Sequence, residues 1–361
     1  TISGTVVDEA GEPVIGVSVR YIRRIVSGGR TRLTALAGNL TDDRGTYRSS
    51  GLTPGDYFVG IISSSTTIPA STADAFMQAI YSGSSLTTSD LYREVSSSSI
   101  SLTAMMLGGG GGGYRVGDFV FQQSNYLGAS GANTAPAPGE DGRVLAYPST
   151  FYPGVGTIAQ ATPITVASGD DRTRIDLQLK LLPSMRVSGV VMGPDGPVRN
   201  LGVRLLPVGA DDSTSDTQVE AASSVSDANG VFTFLGITPG AYTLKVLRIP
   251  RPLPVAGARG GSSMVEVTGP GGVVLGMSSG AGPAGIPAPP PLPPDHTLWA
   301  SQAVSVSDRD ISGLVVTLRT GARLSGRIVF EGDAEKPAPE QVPQTLITVS
   351  PVTTSPSVTA V

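Results

Sequence analysis

Hydrophobic and polar residues alternate along several short segments of the chain. Over residues 17–21, valine or tyrosine alternates with serine or arginine, and over residues 175–181, isoleucine or leucine alternates with aspartate, glutamine or lysine. A period of two is typical of a β-strand that has one face in a core and the other in solvent. We therefore expect a chain built mainly of half-buried strands.

One block of sequence occurs twice. Residues 41–57 align without a gap on residues 226–242, an offset of 226 − 41 = 185. Both copies contain an Asp-x-x-Gly sequence, Asp42–Gly45 and Asp227–Gly230, which predicts a hairpin turn because aspartate accepts local hydrogen bonds and glycine adopts positive φ. A Thr-Pro-Gly turn and a tyrosine follow in each copy. Repeated antiparallel hairpins favour an all-β fold with tandem sandwich modules.

A shorter repeat marks the connections between modules. The segment 175–179 leads to an Arg-Val-Ser-Gly sequence, and the segment 312–316 leads to a similar Arg-Leu-Ser-Gly sequence, an offset of 312 − 175 = 137. We predict a first module over 1–183, a second over 184–321, and the incomplete start of a third over 322–361.

Two long insertions interrupt these modules. The first, 62–150, contains serine runs and a run of glycines over 108–113, and we predict mostly loop there. Short helices are predicted over 73–81, where apolar residues recur at helical spacing, and over 86–95. The second insertion, 250–296, ends in a proline-rich run that favours extended polyproline II geometry.

Composition narrows the classes of function. The chain has no cysteine and a single histidine, His296, so it cannot build a thiolate nucleophile, a disulfide or a multi-histidine metal centre. Glycine and proline are abundant, and the net charge of −4 gives nucleic acid no electrostatic reason to bind. No apolar run approaches the length of a membrane helix. We expect no catalytic residues, no metal, no cofactor and no transmembrane segment in this chain. Because the sequence begins at Thr1, we expect it to be a fragment or a processed product.

The repeated pattern resembles a known family. Ser-Gly before the first strand, a Gly/Pro turn, the Asp-x-x-Gly hairpin and the Pro-Gly-x-Tyr turn are similar to the carboxypeptidase regulatory-like domain, across most of 1–61 and 151–249 and at the start of 322–361. The resemblance implies tandem transthyretin-like, immunoglobulin-like β-sandwiches with long loop insertions. It also implies an accessory, structural or binding role in an exported bacterial protein, without catalysis.

The third module departs from the family pattern. It has two strand-like segments, 323–330 and 345–349, and stops before any hairpin motif. A half sandwich exposes unpaired backbone edges that favour association. We therefore predict assembly contacts in the first strand, at Ile2 and Val6, and in the last segment, at Leu346 and Val349.

Several residue clusters suggest chemistry but have simpler interpretations. Paired acids occur at Asp42-Asp43, Glu140-Asp141, Asp170-Asp171 and Asp211-Asp212. They could bind calcium or flank a glycosidic bond, but none has the spacing of a calcium loop and aspartate is common in turns. We interpret them as turn residues, and His296, near Trp299, as a packing or surface residue.

Two features of the sequence suggest contact with sugars. Asn39-Leu40-Thr41 is a glycosylation sequon, so Asn39 is a candidate acceptor for a glycan. Exposed aromatic rings could instead stack on sugar ligands, although large aromatics near a sheet more often pack in a core. The candidates are Tyr114, Phe119, Phe121, Tyr126, Tyr147, Phe151 and Tyr152.

Three functional hypotheses remain open at this point. The first is a non-enzymatic structural protein at the bacterial cell surface or outside the cell, self-associating into a filament or adhesive assembly by β-strand pairing between modules. The second is a module that binds carbohydrate or peptide through the 62–150 insertion. The third is an accessory domain of a larger exported enzyme or outer-membrane receptor.

Overall fold

The structure is a computed structural model that describes residues 1–27, 30–81, 114–123, 145–208, 219–248, 262–269, 272–279 and 296–322, with single positions at 326, 327 and 329. The predicted helix over 86–95, the proline-rich run and the contacts Leu346 and Val349 lie outside these residues. The chain divides into two compact units, of which one holds both β-sandwiches and the other holds the hairpin within 262–279.

The regular secondary structure of the described residues is almost entirely β-strand, as predicted. In chain order the strands are β1 (Ile2–Val7), β2 (Ser18–Ser27), β3 (Arg30–Ala35), β4 (Asn39–Leu40), β5 (Thr46–Ser49), β6 (Gly55–Ile61), β7 (Ser65–Pro69), β8 (Tyr114–Val116), β9 (Phe119–Gln123), β10 (Leu145–Ala146), β11 (Thr150–Phe151), β12 (Ile164–Val166), β13 (Leu177–Gln178), β14 (Leu182–Pro183), β15 (Met185–Gly193), β16 (Gly196–Pro197), β17 (Gly202–Pro207), β18 (Ala222–Val225), β19 (Val231–Ile237), β20 (Gly240–Arg248), β21 (Ser262–Gly269), β22 (Gly272–Ser279), β23 (Leu298–Val306), β24 (Ile311–Thr317) and β25 (Arg319–Thr320). The helix α1 spans Ala70–Tyr81, which confirms the helix predicted over 73–81, and a short 3₁₀ turn spans Ile158–Gln160.

The first sandwich packs a small sheet against a larger one. The small sheet has the order β13-β1-β5, and the larger has the order β11-β6-β2-β3, with β12 on β6 and β4 on β2. Alternate residues of these strands fill the core between the sheets, as the period of two predicts. The fully or nearly buried members of that core are Ile2, Val6, Val17, Val19, Tyr21, Tyr47, Tyr57, Val59, Ile61, Ile164, Val166, Ile175, Leu177 and Leu179.

The second sandwich repeats this arrangement. Its small sheet places β15 between β24 and β19, and its larger sheet contains the order β23-β20-β17-β18. The sequence repeat is therefore also a repeat of strand order, with β1, β2, β5 and β6 corresponding to β15, β17, β19 and β20. The core of this sandwich is formed by Met185, Val187, Val191, Leu201, Val203, Leu205, Ala222, Phe232, Phe234, Ile237, Tyr242, Leu244, Val246, Ala300, Val304, Val306, Val316 and Leu318.

The Asp-x-x-Gly turns form as predicted. The Asp42 carboxylate accepts hydrogen bonds from the backbone N–H groups of Arg44 and Thr46 at 3.0 and 2.7 Å. Asp227 accepts equivalent bonds from the two corresponding positions, both at 2.8 Å. The glycine that ends each turn has a φ of +68° or +75°. Local side-chain acceptors and left-handed glycines thus fix both hairpins.

The segments that follow each sandwich close its small sheet. β13 pairs in parallel with β1, and β24 pairs in parallel with β15. Two glycines permit this contact. A Cβ at Gly4 would lie 2.1 Å from the carbonyl oxygen of Ile175, and a Cβ at Gly189 would lie 2.3 Å from that of Leu314.

The first insertion contributes to the second sandwich. We predicted mostly loop over 62–150, but its described residues include α1 and the strands β7, β8 and β9. These three strands extend the larger sheet of the second sandwich in the order β18-β7-β9-β8. In the second insertion, β21 and β22 form an antiparallel hairpin.

Candidate functional site

The junction between the two sandwiches is organised around β7. This strand leaves the first sandwich after β6, pairs in parallel with β18 of the second sandwich, and pairs on its other side with β9. Its register with β18 places Ser65, Thr66 and Thr67 opposite Ala222, Ser223 and Ser224. The chain therefore passes directly from β6 of the first sandwich into an internal strand of the second.

Hydroxyl groups of β7 also bind the small sheet of the second sandwich. The Ser65 hydroxyl donates to the carbonyl oxygen of Leu235 at 3.2 Å, and the Thr67 hydroxyl accepts from the Leu235 N–H at 3.0 Å. The Thr66 and Ser223 hydroxyls lie 3.0 Å apart. β7 thus belongs to one sheet through its backbone and contacts the opposite sheet through its side chains.

Apolar side chains from both sandwiches meet beside this strand. We call this group the junction cluster. The first sandwich supplies Ile22, Leu33, Phe58, Phe151, Ile158 and Ala161, and the second supplies Leu206 and Val219. Because each of these side chains is at most 9 % exposed, separating the sandwiches would return this apolar surface to water.

A buried ion pair lies on the same side of the second sandwich. Val203 and Leu205 point into its core, so Arg204 and Leu206 point to the opposite face, where Leu206 joins the junction cluster. The Arg204 Nε donates to the Glu220 carboxylate at 2.5 Å, with the two side chains only 7 % and 12 % exposed. The second sandwich thus carries a desolvated charge pair on the same face of β17 that presents Leu206 to the junction cluster.

The predicted contacts in the first strand lie inside the chain. Ile2 and Val6 are fully buried in the core of the first sandwich. The backbone of β1 pairs with β5 on one side and with β13 on the other. A contact with another molecule through β1 would have to displace one of these strands. Asn39, the candidate glycan acceptor, lies in β4 with its side chain partly exposed.

The described aromatic residues of the candidate sugar surface serve in packing. Phe121 and Phe151 are 2 % and 4 % exposed, and Tyr147 and Tyr152 pack against the core of the first sandwich. The guanidinium of Arg186 lies over the ring of Phe119, 5.3 Å from its centroid, which is within the range of a cation–π contact. Tyr126 lies outside the described residues, and only the backbone of Tyr114 is described.

The acidic pairs act in turns where they are described. Asp42 caps its hairpin, and Asp170 accepts from the Ala167 N–H at 3.0 Å and from Arg172 at 2.9 Å. The Ala167 N–H, with Arg172 beside it, lowers the pKa of Asp170 below its usual value. In the described part of the chain, no group of three or more His, Asp or Glu side chains is placed to hold a metal ion. His296 is exposed, and Trp299 is partly buried in β23.

Buried tyrosines give the stability of the chain an alkaline limit. Burial raises the pKa of Tyr21 to about 12 and raises the pKa of Tyr47 and of Tyr242 above the ordinary value. The unfolded chain loses these phenol protons near pH 10, whereas the folded chain retains them.

We therefore expect the stability that these phenols contribute to be constant below about pH 10 and to fall as the pH rises towards the folded pKa of Tyr21, about 12. Titration of tyrosinate absorbance alongside circular dichroism checks this, with Tyr21→Phe as a variant that weakens the dependence. Ionisation of every phenol near pH 10 in a chain that stays folded would contradict the prediction.

Comparisons with known proteins give structural similarity only. No protein-family model and no curated protein matches the chain. Similar solved structures include the Bacillus anthracis TIE protein, with 10 % identity, a TM-score of 0.21, and coverage of 88 % of this chain and 33 % of that one. The streptococcal ancillary pilin has 10 % identity and a TM-score of 0.26, with coverage of 88 % of this chain and 62 % of that one. GBS52, the minor pilin of Streptococcus agalactiae, has 8 % identity and a TM-score of 0.23, with coverage of 91 % of this chain and 100 % of that one.

The chain spans a third of the length of the TIE protein and less than two thirds of the ancillary pilin. Among the residues that the structure describes, no helix has both the length and the apolar composition needed to cross a bilayer.

Proposed function

We propose that the chain is a non-catalytic structural protein of the bacterial cell surface or extracellular space, in which strand pairing joins consecutive sandwiches into one stiff unit. This proposal rests on the position of β7, which follows β6 of the first sandwich along the chain and is an internal strand of the second. A flexible linker lets two domains move independently. Here only residues 62–64 lie between β6 of the first sandwich and β7, which is held on both sides within the sheet of the second.

The other features of the junction support the same role. The junction cluster adds apolar contacts between the sandwiches that a pair of independently moving domains does not need. The resemblance to the carboxypeptidase regulatory-like domain supports export by a bacterium. Self-association into a filament or adhesive assembly is the extension of this proposal, with Leu346 and Val349 still predicted as contacts.

Thr66→Pro tests the coupling. Thr66 lies at the centre of β7 between Ser223 and Gln122, so proline there removes a hydrogen bond of the ladder and leaves its partner unsatisfied. We expect the free energy of unfolding to fall by about 2 to 4 kcal/mol. In single-molecule force spectroscopy, with the chain pulled from its ends, we expect the wild type to unfold in one cooperative rupture. We expect the Thr66→Pro variant to unfold in two separate ruptures.

Ser168→Pro is the matched control. Ser168 and Gly169 are the central residues of a turn closed by the Asp170 N–H on the Ala167 carbonyl oxygen, and Gly169 has a φ of +81°. Proline is favoured at the first central position of such a turn, so this variant should unfold like the wild type. Two independent ruptures in the wild-type chain would overturn the proposed coupling.

A further inference from the structure

The two sandwiches differ in the turn that follows their first strand. After β1 the chain turns through residues 8–13, and after β15 it turns through residues 194–195 into β16. In both sandwiches the chain beyond the turn is then fixed by the same kind of backbone hydrogen bond, from an N–H group to a carbonyl oxygen. The two bonds run from Gly16 to Thr41 at 3.0 Å and from Asn200 to Ser226 at 2.9 Å. The residues just before these donors, Ile15 and Arg199, therefore occupy equivalent places.

The turn of the second sandwich borders a cavity at the end of the core. This cavity, which we call the arginine cavity, has a volume of about 250 Å³ and is lined by residues 193–199, Leu201, Arg248 and Leu298. Arg248 lies directly opposite Leu298 in the pairing of β20 with β23, so both side chains are on the same face of the sheet. The volume is smaller than the roughly 300 to 1,000 Å³ of pockets for drug-sized ligands. The cavity therefore suits the side chains of a protruding turn better than a whole small molecule.

The arginine cavity offers positive charge at its rim and apolar groups at its floor. Arg199 and Arg248 are exposed, and Asp195 is the acid in the lining. Leu201 is 1 % exposed and belongs to the core, and Leu298 packs against that core. A complementary partner therefore carries carboxylates together with an apolar side chain.

The first sandwich presents these groups in residues 8–15, which we call the acidic turn. Glu9 and Glu12 are exposed, and Ile15 is 59 % exposed. The Asp8 carboxylate accepts hydrogen bonds from the backbone N–H groups of Ala10 and Glu12, both at 2.9 Å. Because these bonds already hold the turn in one conformation, it loses little freedom when it binds.

The hairpin beside the acidic turn adds to its negative charge. Residues 8–13 and 42–45 together contain five carboxylates and one arginine. The two segments are adjacent, since a Cβ at Gly45 would lie 3.1 Å from the Cβ of Pro13. Burial, with Glu9 and Asp8 nearby, raises the pKa of the Tyr147 hydroxyl above its ordinary value. The charge at this end of the first sandwich is thus opposite in sign to the rim of the arginine cavity.

We propose that the acidic turn of one copy of the chain binds in the arginine cavity of a second copy. Glu9 and Glu12 are exposed in the structure, so the turn does not fill the cavity of its own chain. The inference rests on the proposed structural role and identifies two contact surfaces for self-association. Because the contact joins two different surfaces of the same protein, its repetition without closure into a ring produces a filament.

Sedimentation equilibrium of the full chain over a range of concentrations tests the inference. The mean mass of the wild type should rise steadily with concentration, and added salt should reduce it because exposed charges are screened. Arg248→Glu, the cavity variant, should weaken self-association about tenfold. Arg309→Glu is the matched control, because Arg309 is exposed in the loop before β24 and the variant should associate like the wild type. Circular dichroism checks that each variant is folded.

Mixing two variants tests whether the two surfaces bind each other. Glu9→Lys combined with Glu12→Lys, the turn variant, keeps the arginine cavity, and the cavity variant keeps the acidic turn. Each variant alone should have the mass of one chain at concentrations where the wild type associates. An equal mixture should form a complex of two chains and no larger species, because the two remaining surfaces of that complex are both altered.

Three results would overturn the inference. A wild type that stays monomeric at every concentration would assign the cavity to another occupant. Variants that associate like the wild type, or a mixture in which both variants stay monomeric, would exclude this pair of surfaces. A chain that fails these tests but still ruptures as one unit under force would retain the proposed coupling of its sandwiches.

Discussion

Replacing Gly189 by alanine is expected to lower the free energy of unfolding by at least about 3 kcal/mol. The new Cβ would lie 2.3 Å from the carbonyl oxygen of Leu314 and 2.7 Å from its Cβ. The first of these is a backbone atom of the parallel strand β24, which cannot swing aside as a long side chain can. Relief of the clash requires β24 to move away from β15, and this opens the core at Val316.

Gly4→Ala should have a similar effect in the first sandwich. Its Cβ would lie 2.1 Å from the carbonyl oxygen of Ile175, which also accepts a hydrogen bond from the Tyr47 hydroxyl. Denaturant unfolding of both variants, monitored by circular dichroism, measures the loss.

Gly156→Ala is the control for both substitutions. The nearest atom to its new Cβ is the Ser149 carbonyl oxygen at 4.0 Å, an ordinary contact distance, so we expect a change of less than about 0.5 kcal/mol. Losses at Gly4 and Gly189 no larger than at Gly156 would show that the parallel strands do not approach as closely as described.

The hairpins could be predicted from sequence because their causes are local. Asp42 and Asp227 accept hydrogen bonds from residues two and four positions later, and the glycine of each turn supplies the positive φ. Alternation of polar and apolar residues sets which face of a strand is buried. All of this information lies within a few residues, so the repeat in sequence was sufficient to predict the repeat in strand order.

The role of β7 could not be predicted, because its partners are distant and its sequence has no clear alternation. Ser65 pairs with Ala222, far along the chain, and the strand is built of serine and threonine, which are equally common in loops. Its hydroxyls are satisfied by groups of β18 and β19. Nothing within residues 62–81 indicates that such partners exist.

The first strand shows a different limit of sequence analysis. The alternation at Ile2 and Val6 correctly indicates a buried face, but a strand buried within one chain and a strand buried between two chains have the same pattern. The structure places these side chains in the first core.

Glu220→Gln is expected to cost about 3 to 5 kcal/mol, because it removes the charge of a buried carboxylate that is bonded to the Arg204 guanidinium. The two groups are 2.5 Å apart and almost fully buried, so water cannot replace the lost carboxylate. Asp74→Asn is the matched control. The Arg115–Asp74 pair is similarly short at 2.6 Å but about 60 % exposed, and its loss should cost less than about 1 kcal/mol.

The double variant Arg204→Met with Glu220→Leu separates the cost of an unpaired charge from the value of the pair. Burying two ions costs solvation energy that their attraction only partly returns, so apolar replacements of similar size often match or exceed the stability of the pair. We expect the double variant to lie within about 1 kcal/mol of the wild type or above it. A double variant as unstable as Glu220→Gln would show instead that the hydrogen-bond geometry of the pair, and not its charge balance, stabilises this face of the second sandwich.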